Sequence, residues 1–256
     1  MAIPTIVVVP GAAHGVEFYS SLLSSLEAKG YPAICQNPPS ITAEDATTVT
    51  VDADVSFVRN QVLTPLLAEG KDIVLLMHSY GGTYGAAAVQ GLSKKERSEK
   101  GEQGGVIGLI YAASFTSEPG QSALATLNIT TLPGWVATGS KPGTLTFSDR
   151  TWLWPDISAE EAAEWMSKLS PVSMTALATP ISYAPFQDPY YNDSLAYVHL
   201  LRDAIVLPEL REIYIEKSGI TLTASIDGPH GIGVEVTEEV ANVAVELVEK
   251  FVTRAS

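Results

Sequence analysis

Ser79, Asp203 and His230 are three residues whose types and order could carry out nucleophilic catalysis. A serine hydroxyl attacks a carbonyl group effectively when a nearby histidine takes its proton and a carboxylate orients that histidine. The chain supplies the three groups in the order serine, aspartate, histidine, and each of them follows a run of mostly aliphatic residues. This order and placement predict acyl-transfer chemistry at one edge of a β-sheet.

The surroundings of Ser79 favour a nucleophile. Residues 77–81 read MHSYG, after the aliphatic run 72–77 and before the small-residue stretch 81–88. A sharp turn from a strand into a helix presents a nucleophilic serine in this context. The G-x-S-x-G pattern of such turns has glycine two residues before the serine, where this chain has Met77. The alternative role for Ser79 is that of a helix N-cap.

Backbone N–H groups are expected to hold the negative charge that develops on the attacked carbonyl oxygen. Tyr80 is the first predicted donor, because it opens the helix after the serine. The second should lie in the loop after the first strand, where residues 11–15 read GAAHG. We expect Ala12 to be this donor, with Ala13 as the alternative. His14, in the same loop, is interpreted as a loop or pocket-wall residue rather than a catalyst.

His230 is the expected general base among the four histidines. It lies in the sequence DGPHGIG, residues 227–233, between the last predicted strand and the last predicted helix. A loop in this place lies at the carboxyl edge of the sheet, where the base must meet the serine. His78 lies directly beside the serine and His199 lies inside a strand, so both are interpreted as structural histidines.

Asp203 is the expected orienting acid. It follows the predicted strand 195–201 and precedes Pro208, which opens a helix. Glu118, after the preceding strand of the chain, is the alternative. Asp227 is only three residues before His230, so it is poorly placed to reach the far ring nitrogen.

Six short runs of β-branched or aliphatic residues must position these groups. They are apolar on both faces and predict a buried, mostly parallel six-stranded sheet. Helical patterns alternate with them and predict a doubly wound α/β fold with right-handed crossovers. The predicted strands are 5–9, 32–36, 72–77, 105–112, 195–201 and 220–226, and the predicted helices are 17–29, 51–69, one after residue 79, one from 208 and one over 236–254.

Two segments interrupt this alternation. The charged sequence KKERSEKGEQGG, residues 94–105, is interpreted as a surface loop. Residues 116–190 hold all four tryptophans, many prolines and a helical stretch over 158–169. We interpret this longer segment as a lid inserted into a core formed by residues 1–115 and 191–256. The lid is expected to wall an apolar pocket, and the alternative is an insertion that serves stability only.

Composition excludes several classes of partner. The chain carries 29 acidic and 15 basic residues, and its net charge of −14 would repel nucleic acid and anionic membrane surfaces. A single cysteine, Cys35, excludes an internal disulfide and a multi-cysteine metal site, and it is typical of a reducing compartment. Because no apolar run approaches the roughly 20 residues of a membrane span, we expect a soluble cytoplasmic protein.

Several motifs resemble one family over essentially the whole chain. GAAHG (11–15) is similar to an HGA-x-HG signature, and MHSYGG (77–82) to GHS-x-GG. The strand and acid YVHLLRD (197–203), the base loop GPH (228–230) and the lid residues 152–173 also have counterparts. The family is the methylesterase and hydroxynitrile lyase group of α/β-hydrolases with its microbial relatives. This chain departs from it at Pro10, Glu17, Tyr19 and Met77, where the family usually has histidine, tryptophan, tryptophan and glycine.

The residues and the resemblance together predict a cofactor-independent serine hydrolase. Its expected substrate is an ester or lactone of a small, largely apolar molecule, and no metal or nucleotide is required. Two alternatives remain open at this stage. A lyase of the hydroxynitrile or retro-aldol type would use the same three residues as acid and base, and a small-molecule binding protein would not use them catalytically. The sequence leaves both a monomer and a homodimer open.

Overall fold

The computed structural model describes residues 3–255, so the predicted domain limits at residues 1 and 256 lie outside the described residues. Six strands form one parallel sheet in the order β2-β1-β3-β4-β8-β9, and three form a small antiparallel sheet in the order β5-β6-β7. The strands are β1 (Thr5–Val9), β2 (Ala33–Cys35), β3 (Asp72–His78), β4 (Gly105–Ala112), β5 (Val136–Thr138), β6 (Thr144–Phe147), β7 (Val172–Ser173), β8 (Leu195–Leu200) and β9 (Leu222–Ile226). The prediction of a six-stranded parallel sheet is confirmed.

The helices alternate with the strands as the sequence pattern predicts. They are α1 (Ser20–Ala28), α2 (Pro39–Thr42), α3 (Val51–Phe57), α4 (Thr64–Ala68), α5 (Gly81–Ala87), α6 (Lys94–Glu99), α7 (Ala123–Thr126), α8 (Ala159–Lys168), α9 (Met174–Ala178), α10 (Pro208–Ser218) and α11 (Thr237–Arg254). A π-helical segment, Val58–Leu63, joins α3 to α4 just before Pro65. Because proline has no N–H to donate, regular α-helical bonding cannot continue through this position.

The interpretation of residues 94–105 as a loop is wrong for their first half. Residues 94–99 form α6, and the side chain of Ser93 accepts a hydrogen bond from the N–H of Glu96 at its N-terminus. The sequence Ser-Lys-Lys-Glu at this point is a capping box, which stabilises the first turn of a helix. The density of charged residues obscured this signal.

The core lies between the large sheet and its flanking helices. All residues of β1 and β4 are buried, as expected for strands covered on both faces. The ring of Phe251 on α11 occupies the space beside Gly108, where a Cβ atom would lie only 2.1 Å from it. Within residues 3–255, no helix is both long enough and apolar enough to cross a bilayer.

Residues 116–190 contain the small antiparallel sheet and the helices α7, α8 and α9. The predicted helix at 158–169 is confirmed as α8, which begins after Ser158 as its N-cap. Two backbone hydrogen bonds join this segment to loops at the carboxyl edge of the large sheet. The N–H of Ser170 donates to the carbonyl of Ala13, and the N–H of Gly231 donates to the carbonyl of Leu153.

Candidate active site

Ser79 lies on a strained turn between β3 and α5. Its φ angle is +50°, a conformation that residues with a side chain rarely adopt. Two hydrogen bonds hold Ser79 in this conformation. The N–H of Ser79 donates to the carbonyl of Ala112 at 3.2 Å, and the hydroxyl of Ser114 donates to the carbonyl of Ser79 at 2.7 Å. The following helix passes close to β1, because a Cβ atom on Gly81 would lie 2.4 Å from the carbonyl oxygen of Val9. The expected strand-to-helix turn is therefore present.

Met77 occupies the glycine position of the G-x-S-x-G pattern without disrupting this turn. Its side chain is fully buried, and its sulfur would lie 3.3 Å from a Cβ atom placed on Gly85. The glycine on α5 thus provides space that the strand residue fills. Met77 is a core residue in this fold.

Ser79, His230 and Asp203 form one continuous hydrogen-bonded chain. The distance from Ser79 Oγ to His230 Nε2 is 3.0 Å, and the distance from His230 Nδ1 to Asp203 Oδ2 is 2.9 Å. A carboxylate only accepts, so Nδ1 carries the proton and Nε2 is free to accept from the serine. The other oxygen of Asp203 accepts from the N–H groups of Ile205 and Val206. All three side chains are buried.

The alternative acids lie elsewhere. Glu118 is partly exposed and pairs with Lys217 at 3.2 Å. The Asp227 carboxylate is 79% exposed and pairs with Arg202. Neither carboxylate is a hydrogen-bond partner of His230 in the described chain. Asp203 is the acidic residue that the fold brings to this histidine.

Three residues with candidate oxyanion N–H groups line the same pocket as the serine. Ala12, Ala13 and Tyr80 all line the pocket that contains Ser79. Among the described residues, their N–H groups have no hydrogen-bond acceptor. The N–H groups on either side of the two alanines are occupied, because Gly11 donates to a tyrosine hydroxyl and His14 donates to the Gly11 carbonyl. The free N–H groups are available to a negatively charged oxygen.

The side chain of Tyr80 ties the turn to Asp54 on α3. Its hydroxyl donates to Asp54 Oδ2 at 3.0 Å, and the other oxygen of Asp54 accepts from the N–H of Ser40 at 2.8 Å. Asp54 is fully buried, and this burial raises its pKa from the usual value to about 6. The sequence offered no sign of this buried carboxylate, because Asp54 belongs to an amphipathic helical pattern.

The other histidines do not line the pocket. His14 belongs to the loop after β1, where its Nδ1–H donates to the Ala12 carbonyl at 2.7 Å, and burial lowers its pKa to about 4. The expectation of a loop residue is met, but the ring is not part of the pocket wall. His78 is buried with both ring nitrogens bonded, and burial lowers its pKa well below 6.5. His199 lies half-buried on β8 against Tyr197.

The pocket above Ser79 has two chemically different parts. The large-sheet core contributes Ser79 and His230 together with Phe115 and Ile205, and residues 116–190 contribute an almost wholly apolar wall. The cavity has a volume of about 600 Å³ with its open mouth included. No lysine, arginine or acidic side chain lines it within the described chain. The wall residues are Ala123, Leu124, Leu127, Ile129, Leu132, Trp135, Val136, Leu145, Thr146, Phe147, Val172 and Leu177.

Only one of the four tryptophans belongs to this wall. Trp135 lines the pocket and stacks on Phe147, with their ring centroids 6.0 Å apart. Trp154 is fully buried outside the pocket, where it stacks on Phe18 at 5.6 Å. A Cβ atom on Gly231 would lie 2.1 Å from its Nε1 atom, so Trp154 packs against the loop that carries His230.

Comparison with known proteins places the chain in a family. Residues 6–243 match the model of the "Alpha/beta hydrolase family". The chain is 28% identical over 221 residues to "Alpha/beta hydrolase nvfD" of Aspergillus novofumigatus, covering 84% of each. Its fold is similar to a pyrethroid hydrolase from Sphingobium faniae JZ-2, with a TM-score of 0.72, 17% identity and coverage of 97% and 98% of the two chains. It is also similar to the Arabidopsis methylesterase MES16, with a TM-score of 0.68, 18% identity and coverage of 96% and 99%.

The family match covers both ends of the parallel sheet and the three residues of the hydrogen-bonded chain. The resemblance to α/β-hydrolases is therefore confirmed at the level of the family and the fold. This chain is an enzyme that belongs to the alpha/beta hydrolase family.

Proposed function

We propose that the protein is a cofactor-independent serine hydrolase that cleaves an ester or lactone of a small, largely apolar molecule. The observation that carries this proposal is the buried chain from Ser79 through His230 to Asp203, which opens onto an apolar pocket beside free backbone N–H groups. A base, its orienting carboxylate and an oxyanion site are the parts that acyl transfer requires.

Each residue has a distinct role in the proposed reaction. His230 Nε2 takes the proton of the Ser79 hydroxyl as the oxygen attacks the carbonyl carbon, while the N–H groups of Ala12 and Tyr80 stabilise the oxyanion. The histidine then gives its proton to the departing alcohol, which leaves an acyl-enzyme. Water, deprotonated by the same nitrogen, releases the acid. Asp203 keeps the proton of the imidazole on Nδ1 and stabilises its positive charge.

The composition of the pocket wall supports the proposal that the substrate is uncharged and apolar. A charged substrate group would lose its hydration without gaining a charged partner, because no lysine, arginine, aspartate or glutamate side chain lines the described pocket. Aliphatic and aromatic groups gain free energy of about 25 cal/mol for each Å² removed from water. An ester or lactone with hydrocarbon on both sides of the carbonyl meets both conditions.

We infer that residues 116–190 act as a lid on a core made of the remaining chain. The inference is supported by the origin of the pocket wall, most of which comes from this segment. It is also supported by the contacts from the lid to both reacting loops, through Ser170 to Ala13 and through Leu153 to Gly231. An insertion that served stability alone would not be expected to supply most of the pocket wall.

Hydrolysis is favoured over cyanohydrin cleavage because the described pocket lining contains no lysine or arginine side chain. Release of cyanide creates a small anion, which a nearby cationic side chain would stabilise. No lysine or arginine lines the described pocket, and His230 is the one group that can become positive there. A binding protein without catalysis would not require the strained φ of Ser79 or the buried Asp203 carboxylate.

A single substitution tests the proposal. The wild-type protein should hydrolyse short-chain aryl esters and form a covalent adduct with a fluorophosphonate, and Ser79→Ala should lower turnover by about 10⁶-fold. Ser218→Ala is the matched control, because it removes a buried serine hydroxyl that bonds within α10. Retention of more than about a tenth of the activity by Ser79→Ala would contradict the proposed nucleophile.

We place the protein in the cytoplasm with a small molecule as its partner. The support is the single, half-buried cysteine, which suits a reducing compartment, and the net charge of −14, which disfavours nucleic acid and anionic lipid.

A further inference from the structure

A second hydrogen-bonded chain runs behind the reacting residues. The N–H of Gly11 donates to the hydroxyl oxygen of Tyr19 at 2.9 Å, and this hydroxyl lies 2.7 Å from Nδ1 of His78. Nε2 of His78 lies 2.9 Å from the carbonyl oxygen of His230. These bonds connect the loop that carries Ala12 to the loop that carries the base.

The donor and the acceptor of each hydrogen bond in this series follow from the groups at its two ends. The His230 carbonyl can only accept, so Nε2 of His78 carries the ring proton and Nδ1 is the acceptor. The Tyr19 hydroxyl therefore donates to Nδ1, and its oxygen accepts from the Gly11 N–H. Each donor in this series therefore has one acceptor, and each acceptor has one donor. The bonded atoms of Tyr19 and His78 lie in the buried interior, where a broken bond is not replaced by water.

The two connected loops are bonded to segments outside the large sheet: the carbonyl of Pro10 accepts from Tyr84 on α5, the carbonyl of Ala13 accepts from Ser170, and the N–H of Gly231 donates to Leu153. The oxyanion loop, residues 10–15, follows β1, while the base loop, residues 227–233, follows β9 at the edge of the sheet. Strands β4 and β8 lie between β9 and β3, so the sheet alone does not fix the distance from His230 to Ser79. His78 is the last residue of β3 and directly precedes the serine.

We propose that Tyr19 and His78 are positioning residues that hold the oxyanion loop and the base loop at the distances that Ser79 requires. The proposal rests on the proposed function, because the two loops carry the donor Ala12 and the base His230. Neither side chain lines the pocket, so neither touches the substrate. Their effect reaches the reaction through the backbone of Gly11 and of His230.

The side chains of Tyr19 and His78 keep their protonation states while His230 changes between its charged and neutral forms during the proposed reaction. Burial and the nearby His230 lower the pKa of His78 well below 6.5, and burial raises the pKa of Tyr19 well above 10.0. His78 therefore stays neutral and does not compete with His230 for the serine proton. A fixed set of donors and acceptors suits a positioning role.

Tyr19→Phe tests the proposal, because it removes the hydroxyl and keeps the buried ring. Tyr191→Phe is the matched control: it also removes a fully buried hydroxyl, which donates to the Val89 carbonyl away from the pocket. Hydrogen exchange should become about fivefold faster in residues 10–15 and 227–233 of Tyr19→Phe, as expected when a buried hydrogen bond is lost. The turnover number kcat should fall about 10- to 100-fold with little change in KM, since small misplacements of reacting groups cost this much.

His78→Gln is the second variant, because one amide supplies both a donor and an acceptor. We expect it to keep more of the wild-type kcat than His78→Leu at equal folded fraction. Exchange of both loops at the wild-type rate in Tyr19→Phe would overturn the proposal, as would unchanged kcat in a variant whose loops are loosened. The exchange measurement needs no substrate. Absence of ester turnover in the wild-type protein would thus count against the proposed function alone, and the exchange rates would still decide the role of Tyr19.

Discussion

The core and the inserted segment contribute opposite chemistry to the same pocket. On the core side, the side chains of Ser79, His230 and Asp203 each have a hydrogen-bond partner, and each occupies a buried position. On the side of residues 116–190, the wall consists of aliphatic and aromatic side chains, with Thr146 as its one polar member among the described lining residues. One region is organised by directional bonds and the other by packing.

Under the proposed function, this difference assigns reaction and recognition to separate parts of the chain. Hydrogen bonds fix the distances between atoms, as bond making and proton transfer require. Apolar surfaces select by size and shape without fixing the position of any atom. Substitutions in the core should therefore change kcat, whereas substitutions in the wall should change KM and the choice of substrate.

The largest expected effect comes from Asp203, the proposed orienting acid. Asp203→Asn keeps the shape but favours the wrong tautomer of His230, so kcat should fall about 10⁴-fold. Glu118→Gln is the matched control, because the structure places Glu118 in a surface pair with Lys217. Steady-state kinetics and melting temperatures of both variants provide the measurement. A silent Asp203→Asn beside an inactive Glu118→Gln would move the acid to the other carboxylate.

A smaller effect is expected at Asp54, which anchors Tyr80 on the core side. Its pKa is raised to about 6 in the folded state, so the folded protein binds this proton more tightly than the unfolded chain does. Stability is then lost as the pH rises from about 4 through 6, and the shift corresponds to about 3 kcal/mol. Asp54→Asn should be more stable than wild type by up to about this amount at pH 8, and the advantage should vanish near pH 4.

Chemical denaturation at several pH values measures this difference. Asp52→Asn is the control, because it changes an exposed carboxylate on the same helix, α3. A stability difference for Asp54→Asn that stays the same from pH 4 to pH 8 would show that the carboxylate does not titrate as its burial indicates.

The smallest effect is expected in the wall. Trp135→Ala removes aromatic surface from the pocket, so KM for a bulky apolar ester should rise about tenfold while kcat for an acetate ester stays near wild type. Trp152→Ala is the control from the same segment, because Trp152 does not line the pocket. An equal fall in kcat for both esters in Trp135→Ala would contradict the separation of recognition from reaction.

The sequence was most informative where residue type and element order determine position. The strand 72–77, the small residues after Ser79 and the loop of His230 predicted the site because parallel strands bring their carboxyl ends to one edge. The distances within the site were not predictable, since they depend on bonds between distant residues. Tyr19 bonds to Gly11 and His78, and none of these three residues alone indicates the other two.

Two expectations about particular residues needed the tertiary structure. Met77 was treated as a departure from the glycine of the turn, but the space for its side chain comes from Gly85, eight residues later. The segment that holds all four tryptophans was expected to wall an apolar pocket, but the sequence did not show which of them would line it. Of the four, Trp135 lines the pocket, whereas Trp154 packs against the loop of His230. Both outcomes depend on contacts between elements that periodicity does not report.

The most direct test of covalent catalysis by Ser79 is the mass of the peptide that contains this residue during turnover. The protein is mixed with a short-chain aryl ester, quenched with acid within the first turnovers, digested and analysed by mass spectrometry. We predict one acyl group on the peptide that contains Ser79, and none in Ser79→Ala. Ester turnover with no acyl group on that peptide, or with the acyl group on another residue, would contradict the role assigned to Ser79.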